Sequence, residues 1–151
     1  MLETEELFEL TLSVGISEMI NVGELPLGGR RIVPVNGGRF RGSKLNGEVL
    51  PGADWVLVEP DGSFRIDVRL TLKTDDLQFI YMQYEGFFHA SREVLARYYR
   101  GEPLAEHEYY LRIRASFETS APQYRWLNHI ISVGKGRQTS NGVAYDLYHV
   151  L

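Results

Sequence analysis

The sequence predicts an all-β protein, one domain over residues 1–151 whose antiparallel sheet closes or nearly closes into a barrel carrying one short helix. Three observations point there. Phe64, Ile66, Val68, Leu70 and Leu72 alternate strictly with Arg65, Asp67, Arg69, Thr71 and Lys73, the period-two mark of a strand with two unlike faces. Tyr109, Leu111, Ile113, Ala115 and Phe117 oppose Tyr110, Arg112, Arg114, Ser116 and Glu118 in the same way. Fifteen Gly and nine Tyr are spread along the chain without long apolar runs, and turn residues recur at the spacing of a sandwich or barrel. Closure is favoured over an open sheet because free strand edges invite unwanted pairing.

Taken in order, Leu7 to Gly15 alternates loosely and forms the first strand, and Glu18 to Val22 is the next strand or an irregular approach to it. Pro26, Gly28, Gly29 and Pro34 break up Glu24 to Val35, which reads as a connection with at most a short edge strand. Asn36 to Gly42 is glycine-rich, but it lacks the Lys-Ser/Thr ending of a phosphate loop and reads as a bulge or tight bend. Lys44 to Leu50 and Asp54 to Glu59 are short strands, and Pro60-Asp61-Gly62 is a tight turn into Phe64. Thr74-Asp75-Asp76 turns the chain into a second run, Leu77 to Glu85, and Gly86 to His89 leaves the sheet. Ser91 to Arg100 is the helix: Ser91 suits its N-cap, Gly101 and Pro103 stop it, and Val94, Leu95 and Tyr98 form its apolar stripe. Trp126 to Val133 and Val143 to Val150 are the last strands, separated by a polar turn over Gly134 to Gly142.

The formal charge of −4 offers no basic footprint for nucleic acid. The absence of cysteine excludes disulfides and thiolate chemistry. No run approaches the ~20 apolar residues of a membrane span, and the acidic start MLETEELFEL does not resemble a secretory signal. A cytoplasmic protein without membrane or nucleic-acid partners is the expectation. His89, His107, His129 and His149 lack metal-ligand spacing, so neither a metal nor another cofactor is expected.

An ordered set of short motifs resembles the domain-of-unknown-function family 3237, also called uncharacterised protein family 0311. The motifs are Gly37-Gly38-Arg39-Phe40-Arg41-Gly42, Gly52-Ala53-Asp54-Trp55, Asp61-Gly62, Asp67-Val68-Arg69, Tyr84-Glu85-Gly86, Phe117-Glu118-Thr119 and Trp126-Leu127-Asn128. The resemblance spans nearly the whole chain and implies a single-domain β-barrel from bacteria or fungi with no generally assigned activity. Asp75-Asp76 and Gly42-Ser43 depart from the family's usual Asp-Gly and Gly-Pro, both within turns.

Three constellations carry candidate chemistry. Asp67 and Arg69, with Arg112, Arg114 and Glu118, lie on the charged faces of the two strictly alternating strands. If those faces line a lumen, with Arg39 nearby, they form a binding site for a carboxylate or phenol; if they meet water, they are ordinary cross-strand ion pairs. Asp54-Trp55 with Trp126 and Asn128 suggests a desolvated carboxyl that transfers a proton, against core tryptophans with a turn-capping Asp54. Tyr84 is a donor to an oxyanion or a packing residue. The expected catalytic set is therefore Asp54, Asp67 and Tyr84, with Arg39, Arg69, Arg112, Glu118, Trp126 and Asn128 binding the ligand. The expected partner is a small organic acid, phenol or polyketide-like compound that the barrel isomerises, cyclises, hydrates or dehydrates by proton transfer. A non-catalytic carrier is the alternative, followed by a structural homodimer or larger homo-oligomer.

Overall fold

The computed structural model describes all of residues 1–151. Its strands are β1 (Thr4–Val14), β2 (Ile20–Leu25), β3 (Gly28–Arg41), β4 (Asn46–Val49), β5 (Gly52–Val58), β6 (Phe64–Thr74), β7 (Phe79–Ala90), β8 (Tyr109–Glu118), β9 (Ile131–Thr139) and β10 (Gly142–Val150), with one α-helix, α1 (Arg92–Tyr99). Every pairing is antiparallel. The wall runs β1, β10, β9, β8, β7, β6, then β4 and β5 in one shared position, then β3, which returns to β1. It is the expected closed barrel, with eight strand positions. No helix is long and apolar enough to cross a membrane.

The strand β3 is the main departure from the sequence reading. Most of the stretch expected to be a connection falls in the longest strand, and its one proline and its glycines fit for local reasons. The Pro34 carbonyl accepts from the Gly15 N–H, so the side of Pro34 that lacks an N–H faces the join where β3 exchanges β2 for β1. A proline at such a join costs no ladder bond. The glycine-rich stretch is the expected bulge: Ser13 pairs with Gly37 but Val14 pairs with Val35, and Gly37 takes a φ of +134°. Across the bulge β3 also exchanges β5 for β4 on its other edge.

Two further boundaries move. β7 continues through Gly86 to Ala90 rather than leaving the sheet. The expected strand from Trp126 begins only at Ile131; Pro122–His129 forms a 3₁₀ segment, started by Pro122 and closed by Asn128. Asn128 accepts from the Thr119 N–H at 2.9 Å and donates to the carbonyls of Thr119 and Arg125. The expected turn over Gly134 to Gly142 shrinks to Ser140 and Asn141. Gly134 and Gly136 face inward on β9, where a Cβ would stand 2.8 Å from an Ile113 carbon and 2.5 Å from a Leu111 carbon.

The apolar faces meet inside one core that includes Phe8, Phe40, Phe117, Leu72, Ile80 and Met82. An eight-stranded barrel is just wide enough for side chains to fill, and at this end it is filled, with Phe8 5.4 Å from Phe40 and 5.9 Å from Phe117. α1, capped by Ser91 accepting from the Val94 N–H, packs at the opposite end through Leu95 and Tyr98.

The seam between β1 and β3 is sensitive to one atom. A Cβ on Gly38 would lie 1.9 Å from the Thr11 carbonyl oxygen. Gly38→Ala is expected to lower stability by about 3 kcal/mol in urea unfolding, whereas Arg39→Ala on the exposed face next to it changes it by less than about 0.5 kcal/mol.

Candidate functional site

The charged strand faces point out of the barrel, which corrects the expectation that they line the lumen. Arg65, Arg69, Arg114 and Glu118 are exposed, and Arg112 and Asp67 are half-buried on the outer surface. The cause is volume: the apolar alternates already fill the interior. Outside, the arginines lie over aromatic rings, Arg69 over Trp55 at 5.5 Å and Arg112 over Tyr110 at 5.1 Å. Arg114 pairs with Glu85, and Arg39 lies exposed on β3 across from Thr11 and Glu48.

The hollow part of the barrel lies at the α1 end and has a volume of about 820 Å³, in the range of pockets for small organic ligands. Val33, Val56, Ile66, Phe88 and Leu111 supply apolar wall, and Tyr98 of α1 joins them. Gln138, Ser140 and Asn141, around the β9–β10 turn, give it a polar rim. Two inward groups carry its chemistry, Asp54 and Tyr145, with Tyr84 packed behind. Apart from Glu102 at the exposed rim, Asp54 is the only carboxylate in the lining, and no Arg or Lys is present there.

Period two turns Asp54 inward. It pairs with Val33 on one side and Val68 on the other, both core residues, so Asp54 is an acid on an apolar face. The β5–β6 ladder pairs Ala53 with Arg69 and Asp54 with Val68, and resumes only at Leu57 with Arg65. Within that gap the Asp67 N–H donates to Asp54 Oδ1 at 3.2 Å. Asp67 thus contributes its backbone; its side chain alternates with inward Ile66 and Val68 onto the other face, where Oδ1 is buried without a hydrogen-bond partner.

Burial drives the Asp54 carboxyl up to about 7, and the nearby Asp67 charge adds to the rise against the lowering bond from the Asp67 N–H. Tyr84 and Tyr145 are each 2% exposed, with ring centroids 5.2 Å apart. Burial raises both phenols first. The Asp54 charge raises both further, and Tyr145 also raises Tyr84. No Arg or Lys lines this end of the barrel, so the Asp54 charge helps keep both phenols protonated, while a hydrogen bond with Tyr84 works the other way on Tyr145. Tyr145 was not singled out in the sequence: it alternates with Leu147 like any core aromatic. The signal for it is Gly136, where a Cβ would stand 2.6 Å from the Tyr145 ring.

Trp126 and Asn128 are not brought to Asp54. They belong to the 3₁₀ segment tied to the Asp76 turn by Tyr124 Oη donating to Asp76 Oδ1 at 2.9 Å. That turn follows the end of β6, whereas the cavity takes Phe64 from its start. Trp126 there lies under Lys44 Nζ at 5.3 Å and 6.3 Å from the His149 ring.

The raised Asp54 carboxyl has a consequence for folding. Its folded value of about 7 exceeds the ordinary 3.8, so the folded chain holds this proton more tightly than the unfolded one. Stability is then lost as pH rises from about 4 through 7 and levels off above, by up to about 4 kcal/mol. Asn at this position accepts the same Asp67 N–H but does not titrate. In urea unfolding from pH 4 to 8, Asp54→Asn is expected to gain on the parent chain by that amount; a constant difference would remove the buried-acid assignment.

The chain matches known proteins over its whole length. The family described as "Protein of unknown function (DUF3237)" matches residues 3–150. A UPF0311 protein of Rhodopseudomonas palustris is 34% identical over 151 residues, 99% of this chain and 97% of that protein. A crystal structure of the R. palustris conserved protein of unknown function has a TM-score of 0.94, with 100% of this chain and 99% of that one covered. A β-barrel-like protein of Acinetobacter baumannii is similar at 36% identity and a TM-score of 0.87, over 100% and 97% of the two chains. A protein of Penicillium herquei described as an enzyme shares the fold at a TM-score of 0.74 and 17% identity, over 99% and 95%. The barrel with its inward acid is thus a member of the DUF3237 family, to which the UPF0311 proteins it resembles give their second name.

Proposed function

We propose that the barrel binds a neutral, partly aromatic organic molecule bearing a phenol or an enolisable carbonyl and moves a proton on it. Isomerisation, cyclisation and addition or elimination of water are the reaction classes this chemistry serves. The observation that carries the reading is Asp54, a carboxyl near 7 in an apolar hollow. Such a group both takes and returns a proton at neutral pH. Tyr145, kept protonated beside it, donates a hydrogen bond to negative charge developing on a substrate oxygen. Tyr84 packs behind Tyr145 and fixes its ring.

The lining also selects among ligands. An anionic substrate would be buried against Asp54 without a counter-charge, since the cavity contains no Arg or Lys, and an unpaired buried anion is strongly disfavoured. Of the organic acids and phenols expected from the sequence, the hollow favours the phenols and other neutral compounds. A carrier would use the same wall and rim while leaving the ligand unchanged.

Deuterium wash-in separates these readings without a known substrate. A panel of neutral hydroxyaryl ketones is incubated with the protein in D₂O, and exchange beside the carbonyl is followed by NMR. Exchange is expected to rise with pH through about 7 as Asp54 ionises. Asp54→Asn is expected to slow it at least about 100-fold, and Tyr145→Phe about 10-fold or more. Asp67→Asn leaves the backbone N–H in place and keeps the rate within about threefold. Parental exchange in Asp54→Asn refutes the proton-transfer role, and binding by both proteins without exchange marks a carrier.

A further inference from the structure

We infer that the hairpin from Ile16 to Leu27 is the surface through which this chain binds a second copy of itself. β2 pairs only with the start of β3, so its other edge is unpaired, while β1 and β10 close the remainder of the wall. Ile16, Met19, Ile20, Val22, Leu25 and Leu27, all within this segment, are between 41% and 79% exposed. Together they leave on the order of 600 Å² of residue surface open, the top of the range for apolar patches on a monomer and near the ~800 Å² per partner of a standard interface.

Two features select a second copy as the occupant. An antiparallel edge is self-complementary about a two-fold axis, so identical β2 edges and identical aliphatic faces match without a separate partner. The segment also carries few of the charges, above all Lys, that keep an edge solitary. Between Ile16 and Leu27 the charges are Glu18 and Glu24, with no Lys or Arg, and Glu24 is taken up by Arg31 at 2.9 Å. The same deficit argues against an anionic lipid surface, which is held by Lys and Arg beside the apolar residues. A bulge at Val22, between the pairs Asn21 with Arg31 and Gly23 with Arg30, makes aliphatic packing the larger part of this contact and edge bonding the smaller.

The contact adjoins the cavity. Ile16 and Ser17 belong to its lining, so a second copy on this hairpin stands at the mouth and narrows it. This placement is independent of whether Asp54 moves a proton.

Light scattering on the full chain, from roughly 1 to 100 μM, is the primary test. Twice the chain mass is expected, with Ile20→Asp and Leu27→Asp each weakening association at least about tenfold. Far-UV circular dichroism and melting should be nearly unchanged, because both side chains are exposed. A monomer across the whole range overturns the inference, as does a dimer untouched by either substitution. A monomer that co-sediments with phosphatidylcholine vesicles also overturns it, in favour of lipid. Hydrogen exchange on the parent chain serves if a variant misfolds: amides of Ile20–Leu25 that gain protection with concentration support the contact, and protection independent of concentration refutes it.

Discussion

The width of an eight-stranded barrel governs the rest of this structure. Such a lumen holds side chains and little more, so a strand with two unlike faces has one place for each: apolar residues inside, charged residues outside. β6 and β8 obey this along their length. Phe8, Phe40 and Phe117 fill one end. At the other, Val33, Val56 and Ile66 stand where larger side chains would close the hollow, and the space is left open. A polar group gets inside only by occupying a position in an apolar row. Asp54 does so, and its chemistry follows from where it sits.

The site also depends on how the wall is pieced together. β3 runs the full height, but its neighbours on both edges are broken: β2 then β1 on one side, β5 then β4 on the other. The Asn36–Gly37 bulge and Pro34 serve those exchanges. The breaks have two effects at the cavity end. β1 stops at Val14, which opens the wall beside Ile16 and Ser17. The β5–β6 ladder loosens after Asp54, which frees the Asp67 N–H for the carboxylate. One irregular region thus makes the mouth and orients the acid.

The alternation of Phe64–Lys73 and of Tyr109–Glu118 was enough to read the sheet, because period two survives any tertiary arrangement. The face each set would turn inward was not local information. It depended on the barrel's volume, which is set by all the strands together. Residue type misled for the same reason: Arg65, Asp67 and Arg69 resemble a binding site, yet charge is what the lumen rejects. Asp54 was legible from its place beside Trp55, whereas Tyr145 had no distinguishing neighbour in sequence, since Gly136 meets it only through the β9–β10 pairing. Pro34 and the β9 glycines failed as breakers because their missing atoms fall where the fold needs none.

Asp54 also bears on what kind of site this is. As a structural residue it makes one bond, accepting the Asp67 N–H, and an asparagine oxygen would accept it equally well. The carboxyl is therefore a poor choice for structure alone: holding it in the apolar hollow at neutral pH costs about 4 kcal/mol, a large share of the 5–15 kcal/mol that separates folded from unfolded chains. What the acid adds over the amide is a proton that can leave and return. Neither Tyr84 nor Tyr145 carries a positive charge that would favour the carboxylate; the Asp54 charge instead raises both phenols. An inner carboxylate that is costly, titrates near 7 and stands beside protonated phenols is what the proposed proton transfer requires.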